Sequence, residues 1–440
     1  MNIRIVIGLV ALFLPSSIFA QFKNIRLDQG TTNIQTSEPS IIINKKNPKN
    51  IIAATNPDNI YYTIDGGNVW QSLKLSSPNG VFGQPVLVSD DKGTIYSLHL
   101  SSPNGDLKDE KSLNQILIHI SRDGGKTWEE GSPLGLNASK DQRKPWATVD
   151  SKGNVWVAWT QYDSFNSADE NCQTNILLSN SSNGKKWTKP FQISQTPGNC
   201  MDDDNTAFGA MPAIGVDGKA FVTWANQNKI FLDRSFGSGL WLTNDIAVGQ
   251  QPGGWDMKIP GHGRCNGTPV FMIDQSKSIY QGSLYLVWAD QRNGENDTDV
   301  WFMRSTNFGD NWSVPTKLGQ DSAKCHQYMP WMTVDQSTGY IYTVFYGRSG
   351  HENNDTDVYL AYSSDGGISF KSRKISETPF TPDENVPFGG INNIAAHNGI
   401  ITPVWTSVQD GKASVWTTII KQADLVQAPQ TASKKKKKGQ

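Results

Sequence analysis

Apolar residues along this chain come in short runs, four to seven positions long, broken by polar turns. They do not recur every third or fourth residue. Val155-Trp-Val-Ala-Trp159 and Ile341-Tyr-Thr-Val-Phe345 are typical: rich in β-branched and aromatic side chains, and too short for helices. Such runs at regular spacing predict the strands of an all-β repeat and not βαβ units. One grammar recurs. A Pro opens the unit (Pro39, Pro85, Pro145, Pro212, Pro269, Pro330), where the first residue of a strand needs no donor. An apolar strand follows, then a short polar turn such as Asp150-Ser-Lys-Gly153. A second strand ends at or near His99, Trp159, Trp224, Trp288, Tyr346 or Trp405. A variable loop and a third strand complete the pattern.

The third strand runs into an eight-residue turn, Ser/Thr-x-Asp-x-Gly-x-x-Trp. Thr63-Ile-Asp65-Gly-Gly67-Asn-Val-Trp70 and Ser121-Arg-Asp123-Gly-Gly125-Lys-Thr-Trp128 are the cleanest copies. Ser305 to Trp312 and Ser363 to Phe370 keep the frame, Asn180-Ser-Ser182-Asn-Gly184-Lys-Lys-Trp187 is looser, and a worn copy ends at Trp241. Asp-Gly or Asn-Gly between strand-like runs makes a hairpin, because Gly accepts positive φ and Asp bonds back to its own backbone. A repeat of this period decides the architecture. Six units carry the turn or its remnant, and residues 391–419 supply three strands of a seventh. Phe22 to Gln29 reads like the outer strands Pro190 to Gln195 and Pro315 to Gln320, so it can complete the seventh sheet and leave that blade no free edge. The expectation is a seven-bladed β-propeller over residues 21–425, with six blades as the alternative.

The repeated turn resembles the Asp box, or BNR repeat, of the sialidase superfamily, and the resemblance spans nearly the whole chain after residue 20. It implies a propeller whose boxes are structural and sit on the face away from the ligand site. It specifies a reaction poorly. The usual sialidase domain has six blades, so seven is a departure. The resemblance also implies an Arg just before the Pro that enters the first blade. Here that stretch reads Thr36-Ser37-Glu38-Pro39, with Ser37 at the Arg position, which argues against ordinary sialidase action.

In a four-stranded blade, the loop entering the first strand and the loop between strands two and three open on one face. The residue-rich loops all fall there: 98–115, 161–174, 195–210, 250–267, 289–299, 320–329, 346–357 and 377–389. Long loops on a rigid scaffold are where function resides. Arg143, Arg264, Arg292 and Arg348 belong to this face and are the candidate substrate-binding cations. Tyr328 and His326 are candidate nucleophile or base, and Asp383 and Glu384 face the same mouth from the seventh unit. Tyr328 also reads as an ordinary rim aromatic. Asp202-Asp203-Asp204, and the acidic loops ending at Asp299 and Asp357, are candidates for a structural Ca²⁺; a solvated run and a capped turn are the plainer readings. No other cofactor is implied.

Composition changes the picture in three places. Formal net charge is −1, which excludes a global field for nucleic acid or a membrane. Residues 1–20 have a short basic start, an apolar run too brief to span a bilayer and a small-residue exit at Ala20, the pattern of a secretory signal. The expectation is an exported monomer, secreted, periplasmic or at the cell surface, with a glycan or polysaccharide partner. Four cysteines in an oxidising compartment suggest disulfides. Cys172–Cys200 and Cys265–Cys325 are the favoured pairs, with a zinc site as a poorer match. Residues 426–440, with Lys434 to Lys438, read as a disordered solvated tail or an attachment to an anionic surface.

Three functions fit: a secreted sialidase-like glycoside hydrolase, a non-catalytic glycan- or protein-binding propeller, and a polysaccharide lyase in which Tyr or His takes a proton beside a uronate carboxylate that Arg neutralises. Facing carboxylates at the mouth favour hydrolysis, convergence of Tyr, His and Arg favours elimination, and a flat face favours binding.

Overall fold

The computed structural model describes residues 22–29, 36–101, 114–135, 137, 139–236, 241, 244–319 and 325–426. The expected signal at 1–20 and the tail beyond 426 lie outside the described residues. Seven antiparallel sheets form the blades of a propeller. Blade 1 is Ser40–Ile43, Ile51–Thr55, Asn59–Thr63 and Gln71–Lys74, and blades 2 to 6 repeat the same meander. Blade 7 takes its inner three strands, Asn393–His397, Ile400–Gln409 and Lys412–Thr418, from the end of the chain and its outer strand, Asn24–Arg26, from the beginning. Asn24 pairs with Thr418 and Arg26 with Trp416, so the ring closes as the sequence predicts. A two-stranded hairpin, Asp256–Ile259 with Gly263–Asn266, is inserted between blades 4 and 5. Among the described residues no helix is long and apolar enough to cross a membrane.

The repeated turns hold neighbouring blades together. In blade 1, Asp65 Oδ1 accepts the backbone N–H groups of Asn68 and Val69 at 3.0 and 3.1 Å, and Thr63 Oγ1 accepts that of Gly67. Asp123 and Asp365 repeat the pattern, and Trp128 Nε1 donates back to the Gly125 carbonyl. In blade 3 these roles fall to Ser181 and Asn183, one residue later than Asn180 and Ser182, because the turn is shorter there and Asn183 Oδ1 meets the N–H groups of Lys185 and Lys186. The second Gly of the turn lies flush on the preceding blade. A Cβ on Gly67 would sit 2.8 Å from Ile419, and one on Gly367 would sit 2.5 Å from Phe302.

The opening prolines differ from the expectation in one respect. Pro85, Pro145 and Pro330 lie inside their inner strands, at bulges, and not at the first position. A bulge leaves a residue unpaired, so the absent N–H costs nothing there. The residue before each of these prolines, and before Pro39, has a left-handed backbone: Glu38, Gln84, Lys144 and Met329 at φ 48–53°. Blade 4 uses Gly209 at the same place. The kink turns the side chain from the sheet toward the axis. Below these residues the axis is closed by Trp146 against Trp331, ring centroids 4.3 Å apart.

The two glycines of the blade 1 turn separate backbone from packing effects. Gly66 and Gly67 both have positive φ, but a Cβ on Gly66 meets nothing. Gly66→Ala is expected to cost about 1–2 kcal/mol, the left-handed penalty alone. Gly67→Ala adds overpacking against Ile419 and is expected to cost about 1–3 kcal/mol more. Chemical denaturation of the two variants side by side measures the difference; equal losses would contradict the clasp.

Candidate functional site

A cleft of about 370 Å³ opens at the mouth of the ring, on the face opposite the repeated turns. Blades 1 to 4, the inserted hairpin and the loop into blade 7 all contribute to it. Its floor is the row of kinked residues. Glu38 accepts Lys144 Nζ at 2.9 Å and Asn56 Nδ2 at 3.1 Å. Asn56 Oδ1 takes the Gln84 N–H, and Gln84 Oε1 takes the Lys144 N–H, so three blades are stitched together at this level. Burial acts to raise the Glu38 pKa, but the charge and hydrogen bond of Lys144 and bonds from Asn56 and the Gly390 backbone outweigh it, and the carboxyl is held below its ordinary value. Side chains held in this backbone region cost on the order of 1–3 kcal/mol each and gather at functional sites.

One wall is aromatic. Trp255 and Phe208 stack in parallel with centroids 3.9 Å apart, and Phe165 lies under the Arg143 guanidinium at 3.5 Å. The hairpin supplies His262, Arg264 and Asn266 to the cleft. Arg264 ties the hairpin to the loop entering blade 4 through Asp202 at 2.7 Å and bridges the hairpin's two strands through Asp256 at 2.6 Å. Tyr162 donates to the other Asp202 oxygen at 3.0 Å. From blade 6, Arg348 donates to the Pro260 carbonyl at the hairpin tip at 2.7 Å and to Asn354 at 3.0 Å. The opposite lip carries exposed Glu384 with Val386 and Phe388.

Arg143, Arg264 and Glu384 thus line the cleft, and five other expected residues do not. Arg348 is buried and clamps the hairpin from behind. Arg292 folds back on Asp290 at 2.6 Å and over Trp301 at 4.4 Å, on the flank of blade 5. His326 is buried against Thr298 Oγ1, and Tyr328 is wholly buried with its hydroxyl on Thr356. Burial pushes Tyr328 up to about 12 despite Arg348 nearby, which is wrong for a nucleophile or base reached by substrate. Asp383 is exposed and caps the turn at Asn385. The Ca²⁺ candidates are otherwise engaged: Asp202 as above, Asp204 on the Asp256 N–H, Asp299 with Lys317 and Asn293, and Asp357 with His351 and Ser376. Among the described residues no group of three or more His, Cys, Asp and Glu side chains is placed to hold a metal.

Cys172 and Cys200 are joined, Cα atoms 5.7 Å apart, and brace the loop bearing Phe165 against the one bearing Asp202. Cys265 and Cys325 are not joined, contrary to expectation. Cys265 lies on an inner strand of the hairpin with its sulfur in the core, whereas Cys325 lies half-exposed at the entry to blade 6. Glu38, Gln84, Lys144, Trp255, Phe208 and Asn266 escaped the sequence reading of the site, whereas His262 lies on loop 250–267, expected on this face. A signal existed for the first three: each precedes an opening Pro.

No protein family and no curated protein matches the chain. Among solved structures it is similar to a PL25 ulvan lyase bound to a GlcA(1-4)Rha3S chain, at TM-score 0.52 and 11% identity over 88% of this chain and 94% of the lyase. It is also similar to the GH93 α-L-arabinofuranosidase of Fusarium graminearum (0.48, 12%, over 92% and 98%) and to a Hadza microbial sialidase (0.46, 14%, over 85% and 73%). At these identities the likeness is one of fold, the β-propeller.

Burial sets a pH dependence. His262 and His326 are pushed down to about 4 and His99 to about 3, by desolvation first and then by nearby Arg348, for the first two, or His119. The ordinary value is about 6.5. Between that value and 4 the unfolded chain binds more protons than the folded one, so stability falls as pH drops. Unfolding free energy is expected to decline from pH 7 to 5, and His99→Gln to flatten the slope by about 1.4 kcal/mol per pH unit. Denaturant titrations at stepped pH measure both; a flat wild-type profile would contradict the burial. Separately, Cys172→Ser with Cys200→Ser is expected to cost about 2–4 kcal/mol, and thiol titration of the unfolded wild type without reductant to find the other two cysteines.

Proposed function

We propose that the chain is a glycan-cleaving propeller, and that hydrolysis of a glycosidic bond in the mouth cleft is the reaction. The observation that carries this reading is the meeting of two differently held carboxylates in one cleft. Glu38, from blade 1, is buried, ionised and fixed by Lys144, Asn56 and the Gly390 backbone. Glu384, from the blade 7 loop, is exposed on the lip. Glycoside hydrolysis asks for one carboxylate to oppose the positive charge that develops on the sugar ring and one group to exchange protons with the leaving oxygen and water. Glu38 suits the first role and Glu384 the second. Trp255, Phe208 and Phe165 make one wall of the cleft apolar, and Arg143, Lys144 and Arg264 favour substrates with carboxylate or sulfate groups. The ulvan lyase of similar fold, bound to a GlcA(1-4)Rha3S chain, supports this reading.

A second reading, elimination from a uronate glycan, is favoured by His262. Its imidazole is held neutral beside the cleft, as a base requires, and Arg264 leaves from the same hairpin. The two are separated by products. Hydrolysis releases reducing ends without ultraviolet absorbance; elimination leaves an unsaturated, absorbing sugar.

On a panel of uronate, sulfated and neutral polysaccharides, reducing ends are expected without absorbance. Glu38→Gln and Glu384→Gln are each expected to lower kcat about 100-fold or more with the fold intact by thermal melting. Absorbing products that vanish in His262→Gln would move the assignment to elimination. A simple fluorogenic sialoside is expected to be a poor substrate, because blade 1 brings Ser37 and Glu38 where an Arg clamp is needed; turnover at ordinary enzyme rates would overturn that.

A further inference from the structure

The face opposite the cleft has a composition of its own. It is built from the turns between strands one and two and from the repeated turns between strands three and four. Among the described residues, every exposed large apolar side chain except Phe191 and Met201 lies here. Ile64 and Val69 stand on the blade 1 turn, Phe236 on blade 4, Ile279 and Phe308 on blade 5 and Ile368 on blade 6. Ile279 is 91% exposed and Ile368 61%. None fills a fold requirement, since the turn geometry is made by the Asp, Ser, Thr and Gly positions between them.

Basic side chains share the same tips. Lys46, Lys92, Lys126, Lys152, Lys186 and Lys277 are exposed here and form no ion pair with described residues. The acids of this face, Asp90, Asp150, Asp274 and Asp335 among them, are held by local hydrogen bonds or ion pairs and keep their charge, so the net electrostatic attraction comes from the Lys434 to Lys438 run. Asp65, Asp123 and Asp365 accept backbone N–H groups, Asp91 pairs with Lys45, Asp217 with Lys219 and Asp310 with Arg234. The chain also leaves from this face. Gln422 N–H donates to the Gly399 carbonyl in the blade 7 strand-one turn, and Tyr362 holds the Leu425 carbonyl beside the blade 6 turn. The sequence continues from there to residue 440 and includes Lys434 to Lys438.

We propose that this face docks on an anionic lipid surface, with the aliphatic tips entering the headgroup layer and the Lys run adding electrostatic attraction. Two such signals together give stable peripheral binding where either alone is marginal. Aliphatic tips interleaved with lysines suit a lipid surface better than a soluble polyanion, which offers nothing for Ile279 or Ile368 to bury against. Docked this way, the cleft faces the medium. The inference is independent of what the cleft does.

The test uses the full chain from residue 21 and sedimentation with phosphatidylcholine vesicles, with and without phosphatidylglycerol. Binding to the anionic vesicles is expected to be at least about tenfold tighter, and weaker in high salt. Deleting residues 427–440 is expected to remove most of the salt-sensitive part. Ile64→Ser, Ile279→Ser and Ile368→Ser together are expected to weaken binding at least about fivefold with unchanged melting temperature, since all three are exposed. No preference for anionic vesicles would overturn the proposal. So would full-strength binding by the triple variant, which would leave the tail acting alone. Equal affinity for a soluble sulfated polysaccharide, indifferent to the triple variant, would make the face a polyanion site instead.

Discussion

Three residue pairs close the ring, and the cleft depends on them. Asn24, Ile25 and Arg26 lie along Thr418, Thr417 and Trp416, with Thr418 Oγ1 on the Lys23 carbonyl and Asn24 bridging to blade 6 at Ile375 and Glu377. Without this outer strand the seventh blade would stop at three strands, and the two chain ends would lose their main-chain pairing. Closure sets blade 7's entry loop beside blade 1's. Gly389, at φ 83°, has no room for a Cβ, which would fall 2.9 Å from the Glu38 N. The Gly390 N–H then reaches the Glu38 carboxylate. Fixing the two chain ends therefore also fixes a buried charge at the mouth.

Strain and its compensation occupy opposite ends of the propeller, strain where first strands begin and compensation in the turns between third and fourth strands. At the mouth, Glu38, Gln84, Lys144 and Met329 hold a backbone that L-residues avoid. At the other end, hydrogen-bonded turns with flush glycines press each blade onto its neighbour. The strands between are almost wholly buried, as in Ile95–Ser101 and Leu284–Asp290. A rigid ring clasped at one rim can sustain kinks at the other, and the kinks are what bring polar side chains off the sheets and toward the axis. The Trp146–Trp331 contact stops the axis below them, so the mouth is a basin and not a tunnel.

Periodicity made the blades, their number and the closing strand legible, because each unit repeats the same alternation and the same turn chemistry. The face on which a loop opens was legible for the same reason. The radial position of a residue was not. Arg292 and Arg348 are on mouth-side loops, yet one folds outward onto Asp290 and Trp301 and the other inward beneath the hairpin. Asp290 is two residues from Arg292, but Trp301, over which that Arg folds, belongs to the next strand, and the Pro260 carbonyl that holds Arg348 is 88 positions away. Tyr328 was misplaced because the bulge at Met329 shifts which residues of that strand point to the axis. The hairpin at 256–266 breaks the blade grammar: Arg264 lines the cleft as expected, but the burial of His262 and Cys265 has no counterpart in other units. The kinked residues were hidden for the opposite reason. The Pro beside them was read as the start of a strand when it marks a bulge.

The cleft's charges are mostly spent on one another, which bears on what it can recognise. Lys144 is matched by Glu38, and Arg264 by Asp202 and Asp256. A ligand that relied on charge alone would have to compete with these pairs; Lys144 with Glu38 is the shielded one, and the Arg264 pairs are open to water and readily shared. The carboxamides are placed differently. Gln84 Oε1 accepts the Lys144 N–H and Asn266 Oδ1 the Thr268 N–H, so both oxygens are committed to backbone donors. That fixes the orientation of each amide and turns its NH₂ group away from the backbone it is bound to, at the rim where both residues line the cleft. Directed neutral donors beside a stacked aromatic wall read hydroxyl and carbonyl oxygens on a ring more readily than net charge. On the proposed glycan function, selectivity at this mouth would come first from the spacing of oxygen atoms on a sugar face, with the paired cations adding a preference for acidic substituents only where a substituent can share an Arg with its resident carboxylate.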